Sequence, residues 1–235
     1  MTEPLLEPTA TRPTHPGWPE VLAAAVTYAL VYLAGPPLVD RLVGDSAVAS
    51  GLTYAALSGV MGLLAFAAAF MIRIREWPVF GVRAAPARWL LIAVGLGVGA
   101  VVLSQIASVT VIALLGDRAA DVQEEYREAA SAGPVALVLQ LLFLAVLTPL
   151  GEELAFRSVL TNALSRYGAW VSGVVSTLVF AAVHGLNLTL VPAIVVGGIN
   201  AYLFLRTRSV WPGVIVHAVN NGASTVLASL VVVAS

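Results

Sequence analysis

Six stretches of this chain run for about a bilayer's width or more without a formal charge. They are Val21 to Val39, Ser46 to Ile72, Trp89 to Gly116, Ala129 to Gly151, Tyr167 to Leu205 and Ser209 to Ser235. Backbone N–H and C=O groups in hydrocarbon must pair within the chain, so runs of roughly 20 apolar residues cross as helices. The pattern predicts an all-α fold, a polytopic membrane helix bundle. With 59% hydrophobic and only 11% charged residues, an ordinary soluble domain is excluded. The fifth stretch can hold two helices joined by a turn near Gly185-Leu186-Asn187 and Pro192, which makes seven transmembrane helices. The count becomes eight if the fourth segment breaks at Pro149, where proline removes a helical hydrogen bond.

The first residues, 1–18, are polar and proline-rich and are expected to form a disordered tail. They lack the basic start and short apolar core of a cleavable signal, so the first span is expected to stay. Residues 19–235 read as one domain without internal repeats. Arginines set the orientation. Arg12, Arg73, Arg75, Arg83, Arg88, Arg166, Arg206 and Arg208 fall on one side, and Arg41, Arg118 and Arg127 on the other. That asymmetry puts the amino terminus in the cytoplasm and, with seven spans, the carboxyl terminus outside. The tryptophans, Trp18, Trp77, Trp89, Trp170 and Trp211, lie near span ends, as interfacial anchors do. Gly51, Gly59 and Gly62, and Gly95, Gly97 and Gly99, are read as helix-contact residues. Asp117, Asp121, Glu124, Glu125 and Glu128 are read as a solvated polar helix. The absence of cysteine excludes thiolate chemistry. A net charge of −1 gives no support for nucleic-acid binding.

One segment breaks the apolar pattern: Gly151-Glu152-Glu153-Leu154-Ala155-Phe156-Arg157. A charge in hydrocarbon costs at least a few kcal/mol, so such residues face a bundle interior or cavity and mark function. Glu153 and Arg157 are one turn apart and can pair. Glu152 is rotated about 100° from Glu153, so it is free for another task. The plain alternative is one buried ion network, but one acid already neutralises Arg157. Later helices carry Phe180-x-x-x-His184 and His217-x-x-x-Asn221, with Asn220 turned away. At 1.5 Å per residue, Glu152 lies about 21 Å from Arg166, and His184 about 24 Å from Gly168. The two can therefore meet within a helical hairpin. His217 and Asn221 join them if that hairpin protrudes about 10 Å into the cytoplasm. The site is then expected inside the membrane, nearer the cytoplasm.

These motifs, in this order on three membrane helices, resemble those of the CAAX protease and bacteriocin-processing family. This is the CPBP or Abi group of intramembrane proteases, which includes the type II CAAX prenyl endopeptidases. The likeness covers roughly Pro134 to Thr225. It implies that Glu152 is the general base activating a water, that His184 holds that water, and that His217 and Asn221 receive the oxyanion. Glu153 and Arg157 would orient the helix, and Phe180 would pack the site. No His-Glu-x-x-His zinc signature is present. Glu152, His184 and His217 still form a two-histidine, one-carboxylate set that zinc accepts by ligand type. The family is commonly labelled metalloprotease, and a metal-free glutamate mechanism uses the same residues.

The first reading is an intramembrane endopeptidase of a bacterial cytoplasmic membrane, acting on a membrane-associated protein or peptide. The second is a non-catalytic bacteriocin self-immunity or scaffold protein using the same polar groups to hold a partner. A proton- or ion-coupled transporter is third, disfavoured because the halves show no repeat. Nothing in the sequence identifies a prenylated substrate.

Overall fold

The computed structural model describes residues 15–115 and 123–234. Most of the expected tail, together with Asp117 and Asp121, lies outside them. Among the described residues all regular structure is helical. Helices α1 (Trp18–Val43), α2 (Ala47–Ile72) and α3 (Ala87–Leu115) are followed by a short α4 (Glu124–Ser131). A continuous α5 (Pro134–Tyr167) leads into α6 (Ala169–Val183), α7 (Leu190–Thr207) and α8 (Trp211–Ala234). Among the described residues five helices, α1, α2, α3, α5 and α7, are long and apolar enough to cross a membrane. By that measure the count stops short of the seven or eight read from charge-free runs. α6 is apolar but has only 15 residues, and α8, 24 residues long, carries His217, Asn220 and Asn221 in its first half.

The turn inside the fifth stretch falls where the sequence places it. Gly185 adopts φ 83°, a conformation that L side chains resist. Asn187 then closes the end of α6. Its Nδ2 donates to the His184 carbonyl at 2.7 Å, and its Oδ1 accepts from the Thr189 N–H at 2.8 Å. Backbone groups that the helix end would otherwise orphan are thereby paired.

Pro149 does not break α5. The helix widens into π geometry over Phe143–Leu147, immediately before the proline, and again over Leu154–Thr161. Proline lacks an N–H, and its ring crowds the carbonyl four residues earlier, here that of Ala145. A π turn just upstream relieves that crowding without ending the helix. Between the two π stretches, Thr148–Glu153 is regular α-helix, and it carries both carboxylates.

Glycine governs how α5 meets α2. Gly62 lies directly against the Gly151 backbone, and a Cβ on Gly59 would come within 2.6 Å of the Leu147 carbonyl carbon. Gly51 meets the Glu125 carbonyl in the same way, which seats α4 across the start of α2. On α3 only Gly97 is in such contact, where a Cβ would come within 2.7 Å of the Val219 side chain of α8, while Gly95 and Gly99 face open space. The stripe on α2 is thus a helix contact, as expected, and the one on α3 is so at a single position.

The bundle has two chemically different ends. At one, Trp18 donates to Tyr167, Arg73 pairs with Glu20 at 2.8 Å, and Arg83 donates to the Arg208 carbonyl. Beneath this end Phe66, Phe70, Trp77 and Phe80 stack on one another. The other end holds the α1–α2 turn, with Asp40 and Asp45, and the acidic α4.

Candidate active site

Glu152 of α5 is 3% exposed. Its Oε1 accepts a hydrogen bond from Ser58 of α2 at 2.8 Å. Its Oε2 is buried and has no hydrogen-bond partner. That oxygen faces two imidazoles, lying 3.9 Å from His184 Nε2 at the end of α6 and 3.8 Å from His217 Nε2 of α8. Three of the residues singled out in the sequence therefore converge from three helices.

Their neighbours determine which ring nitrogens carry protons. His184 Nδ1 lies 2.8 Å from the Phe180 carbonyl, which can only accept, so Nδ1–H donates. His217 Nδ1 lies 3.1 Å from Glu153 Oε1 and donates to that carboxylate. In the neutral rings both Nε2 atoms then turn lone pairs toward Glu152 Oε2. Three acceptors surround one point, and a water, a proton or a cation is what such a point takes.

The second carboxylate is fully engaged. Glu153 Oε2 accepts from Arg157 Nε at 3.0 Å, and Oε1 accepts from Asn200 of α7 at 2.8 Å as well as from His217. Arg157 is completely buried and lies over the Phe180 ring, 4.7 Å from its centre. Phe180 also touches both imidazoles, with centroids 4.6 Å from His184 and 5.9 Å from His217. The adjacent acids thus have separate partners, as the 100° rotation implied. One holds an arginine and aligns an imidazole, and the other keeps an oxygen free.

Asn221 stands apart from this cluster. Its Nδ2 donates to the Leu144 carbonyl at 3.0 Å, inside the first π stretch, and its Oδ1 accepts from Asn220. Asn220 faces α3, accepting from Ser104 at 3.5 Å. Two contributors had not been singled out. Asn200 could have been, as an isolated buried amide in an apolar helix. Ser58 carries no such signal, because serine is common in membrane helices.

The donor set suits a zinc ion in type, and each imidazole has the oriented Nδ1–H that metal-bound histidines use. Its spacing is wider than a tetrahedral site requires, since bonds of about 2.0–2.1 Å place ligand atoms about 3.3–3.4 Å apart. Among the described residues no group of three His, Cys, Asp or Glu side chains is close enough to hold an ion as it stands. Holding one here would take a contraction of about half an ångström.

A cavity of about 200 Å³ ends on Glu152 and His184. Tyr28, Tyr32 and Pro36 of α1, Tyr54 of α2 and Tyr126 of α4 line it. Burial, and after it the charges of Glu152 and Glu125, push the Tyr126 phenol up to about 12, so it remains a hydroxyl. Tyr54 donates to Asp40 at 2.6 Å, which places an acid at the rim.

No curated protein and no solved structure matches the chain. Residues 134–223 match the family model described as type II CAAX prenyl endopeptidase Rce1-like. That segment contains Glu152, Glu153, Arg157, Phe180, His184, His217 and Asn221. With its long apolar helices the chain is an integral membrane protein, and residues 134–223, less than half of its length, are similar to the Rce1-like type II CAAX prenyl endopeptidases.

Proposed function

We propose that the chain is an intramembrane endopeptidase hydrolysing a peptide bond in a membrane-associated protein or peptide, with Glu152 as general base. The observation that carries this reading is the buried, unpartnered Glu152 Oε2 facing two Nε2 atoms at 3.8 and 3.9 Å. A water beside that oxygen gives one proton to Glu152 while its other hydrogen is held by the His184 Nε2 lone pair. The oxygen attacks the peptide carbonyl carbon. The developing oxyanion accepts from Nε2–H of a protonated His217, whose Nδ1–H is already on Glu153. Glu152 then passes its proton to the leaving amine nitrogen. Asn221 joins His217 at the oxyanion by giving up the Leu144 carbonyl.

Glu152, His184 and His217 would hold a zinc ion, and when bound it supplies a polarised water. Oε1 is occupied by Ser58, so the remaining oxygen can be a ligand or a base, and not both. This favours the metal-free reading. The arginine distribution supports a bacterial-type orientation with the amino terminus in the cytoplasm, and α6 and α8 as two further crossings bring the spans to seven.

The test is cleavage of a peptide pool by purified protein in detergent. Glu152→Gln and His184→Ala should each lower the rate by about 10²–10⁴-fold, the usual share of general-base catalysis. Thermal unfolding should show the Glu152→Gln variant folded, and a chelator should leave wild-type cleavage unchanged. Wild-type rates in Glu152→Gln would refute the proposal. A variant that still captures its partner, from a wild type that never cuts, would support the immunity or scaffold role instead.

A further inference from the structure

The cavity above Glu152 has a direction. Tyr28 and Met61 form its floor, and Tyr32, Pro36, Tyr54 and Tyr126 climb away from the floor toward the α1–α2 turn. Pro36 is about 10 Å along α1 from Val43, and Tyr54 is about 12 Å along α2 from Ser46. Tyr126 belongs to α4, which sits on Gly51 near the start of α2. Below the floor the way is shut. Tyr28 packs edge-on against Phe156 at 5.4 Å, and Phe156 against Phe180 at 5.0 Å. Beneath them lies the second aromatic layer of Phe66, Phe70, Trp77 and Phe80, with Phe66 and Phe80 almost wholly buried. The pocket at the arginine-bearing end, lined by Pro78, Val79, Arg83, Asn162 and Arg208, does not include Glu152.

Helix lengths bear on the expected position nearer the cytoplasm. Along α2, Ser58 is about 18 Å from Ser46 and about 22 Å from Arg73, so the carboxylate it holds sits near mid-depth. Its access lies on the side away from Arg73, Arg83, Arg166 and Arg208. The helix lining that access carries Pro36 and Pro37 within its continuous span, and prolines are tolerated in membrane helices where neighbouring groups satisfy the freed backbone carbonyls.

We infer that substrate reaches Glu152 from the end of the bundle opposite the larger group of arginines, so that the bond cleaved belongs to a peptide on the extracytoplasmic side of the membrane. The substrates are then secreted or surface-exposed segments, and the carboxyl termini of cytoplasmic proteins are excluded. The inference rests on the endopeptidase reading for what happens at Glu152, while the route to Glu152 stands on the cavity and the aromatic floor.

The chain contains no cysteine, so single cysteines report without background. In intact cells expressing the full chain, a membrane-impermeant maleimide is applied to Asp45→Cys, Tyr54→Cys, Tyr32→Cys and Arg75→Cys, and again after permeabilisation. Asp45→Cys and the two pocket variants should label at least several-fold above Arg75→Cys in intact cells, and Arg75→Cys should catch up on permeabilisation. Tyr32→Cys guards against loss of fold when Tyr54 leaves Asp40. Pocket cysteines that label only together with Arg75→Cys, or stay unlabelled while Asp45→Cys reacts, overturn the access route. An Asp45→Cys that reacts only after permeabilisation overturns the sidedness. Labelling needs no turnover, so an inactive protein with the expected pattern would sink the endopeptidase reading alone.

Discussion

At the scale of residues, two neighbouring glutamates differ in what their removal should cost. Glu153 and Arg157 are both fully buried, and breaking such a pair leaves a stranded charge, typically at 3–5 kcal/mol. Arg157→Met and Glu153→Gln should therefore lower thermal stability in detergent by that order. Glu152→Gln gives up no bond at Oε2, so it should leave stability nearly unchanged while removing cleavage. A protein in which Glu152→Gln and Glu153→Gln behaved alike would contradict the division of labour. The pairing was legible in the spacing of Glu153 and Arg157, and so was the free second acid. Ser58 was not, since which serine meets which carboxylate depends on how α2 and α5 cross. Asn221 was legible as a partner of His217 on one face, yet its amide is spent on Leu144, a carbonyl that no one-helix argument could locate.

At the scale of elements, the charge-free runs located every long helix, because an apolar run in a membrane has few ways to satisfy its backbone. The turn before α7 was equally plain from Gly185 and Asn187. What escaped was α5, where Pro149 suggested a break and the structure has a widened turn instead. Helix contacts give the sharper experiment. Gly62→Ala forces a methyl group into the Gly151 backbone and must move α5 with its carboxylates. Both stability and cleavage should fall. Gly99→Ala meets nothing within 4 Å and removes a flexible residue from a helix, so a gain of up to about 1 kcal/mol is expected. Thermal melts of the two variants side by side check the contrast.

For the whole molecule, the arginine asymmetry is the argument for sidedness, and among the described residues Arg73, Arg75, Arg83, Arg88, Arg166, Arg206 and Arg208 lie at one end, with Arg41 and Arg127 at the other. Seven crossings predict that the termini lie on opposite sides. A phosphatase fused after Ser235 should be active outside the cell and a fluorescent protein fused there dark; the reverse pattern would mean that α6 and α7 or α8 fail to cross. The tryptophans carry a further implication. Trp18, Trp77, Trp89, Trp170 and Trp211 all belong to the arginine-bearing end, at the starts of α1, α3, α6 and α8 and in the short turn before α3. Aromatic and cationic anchors hold a bundle to one leaflet, and the opposite leaflet has none of these rings. When acyl chains lengthen or shorten, the mismatch will be taken up mainly at the side without tryptophans. Lipid thickness then decides how far the tyrosine-lined opening stands clear of the headgroups.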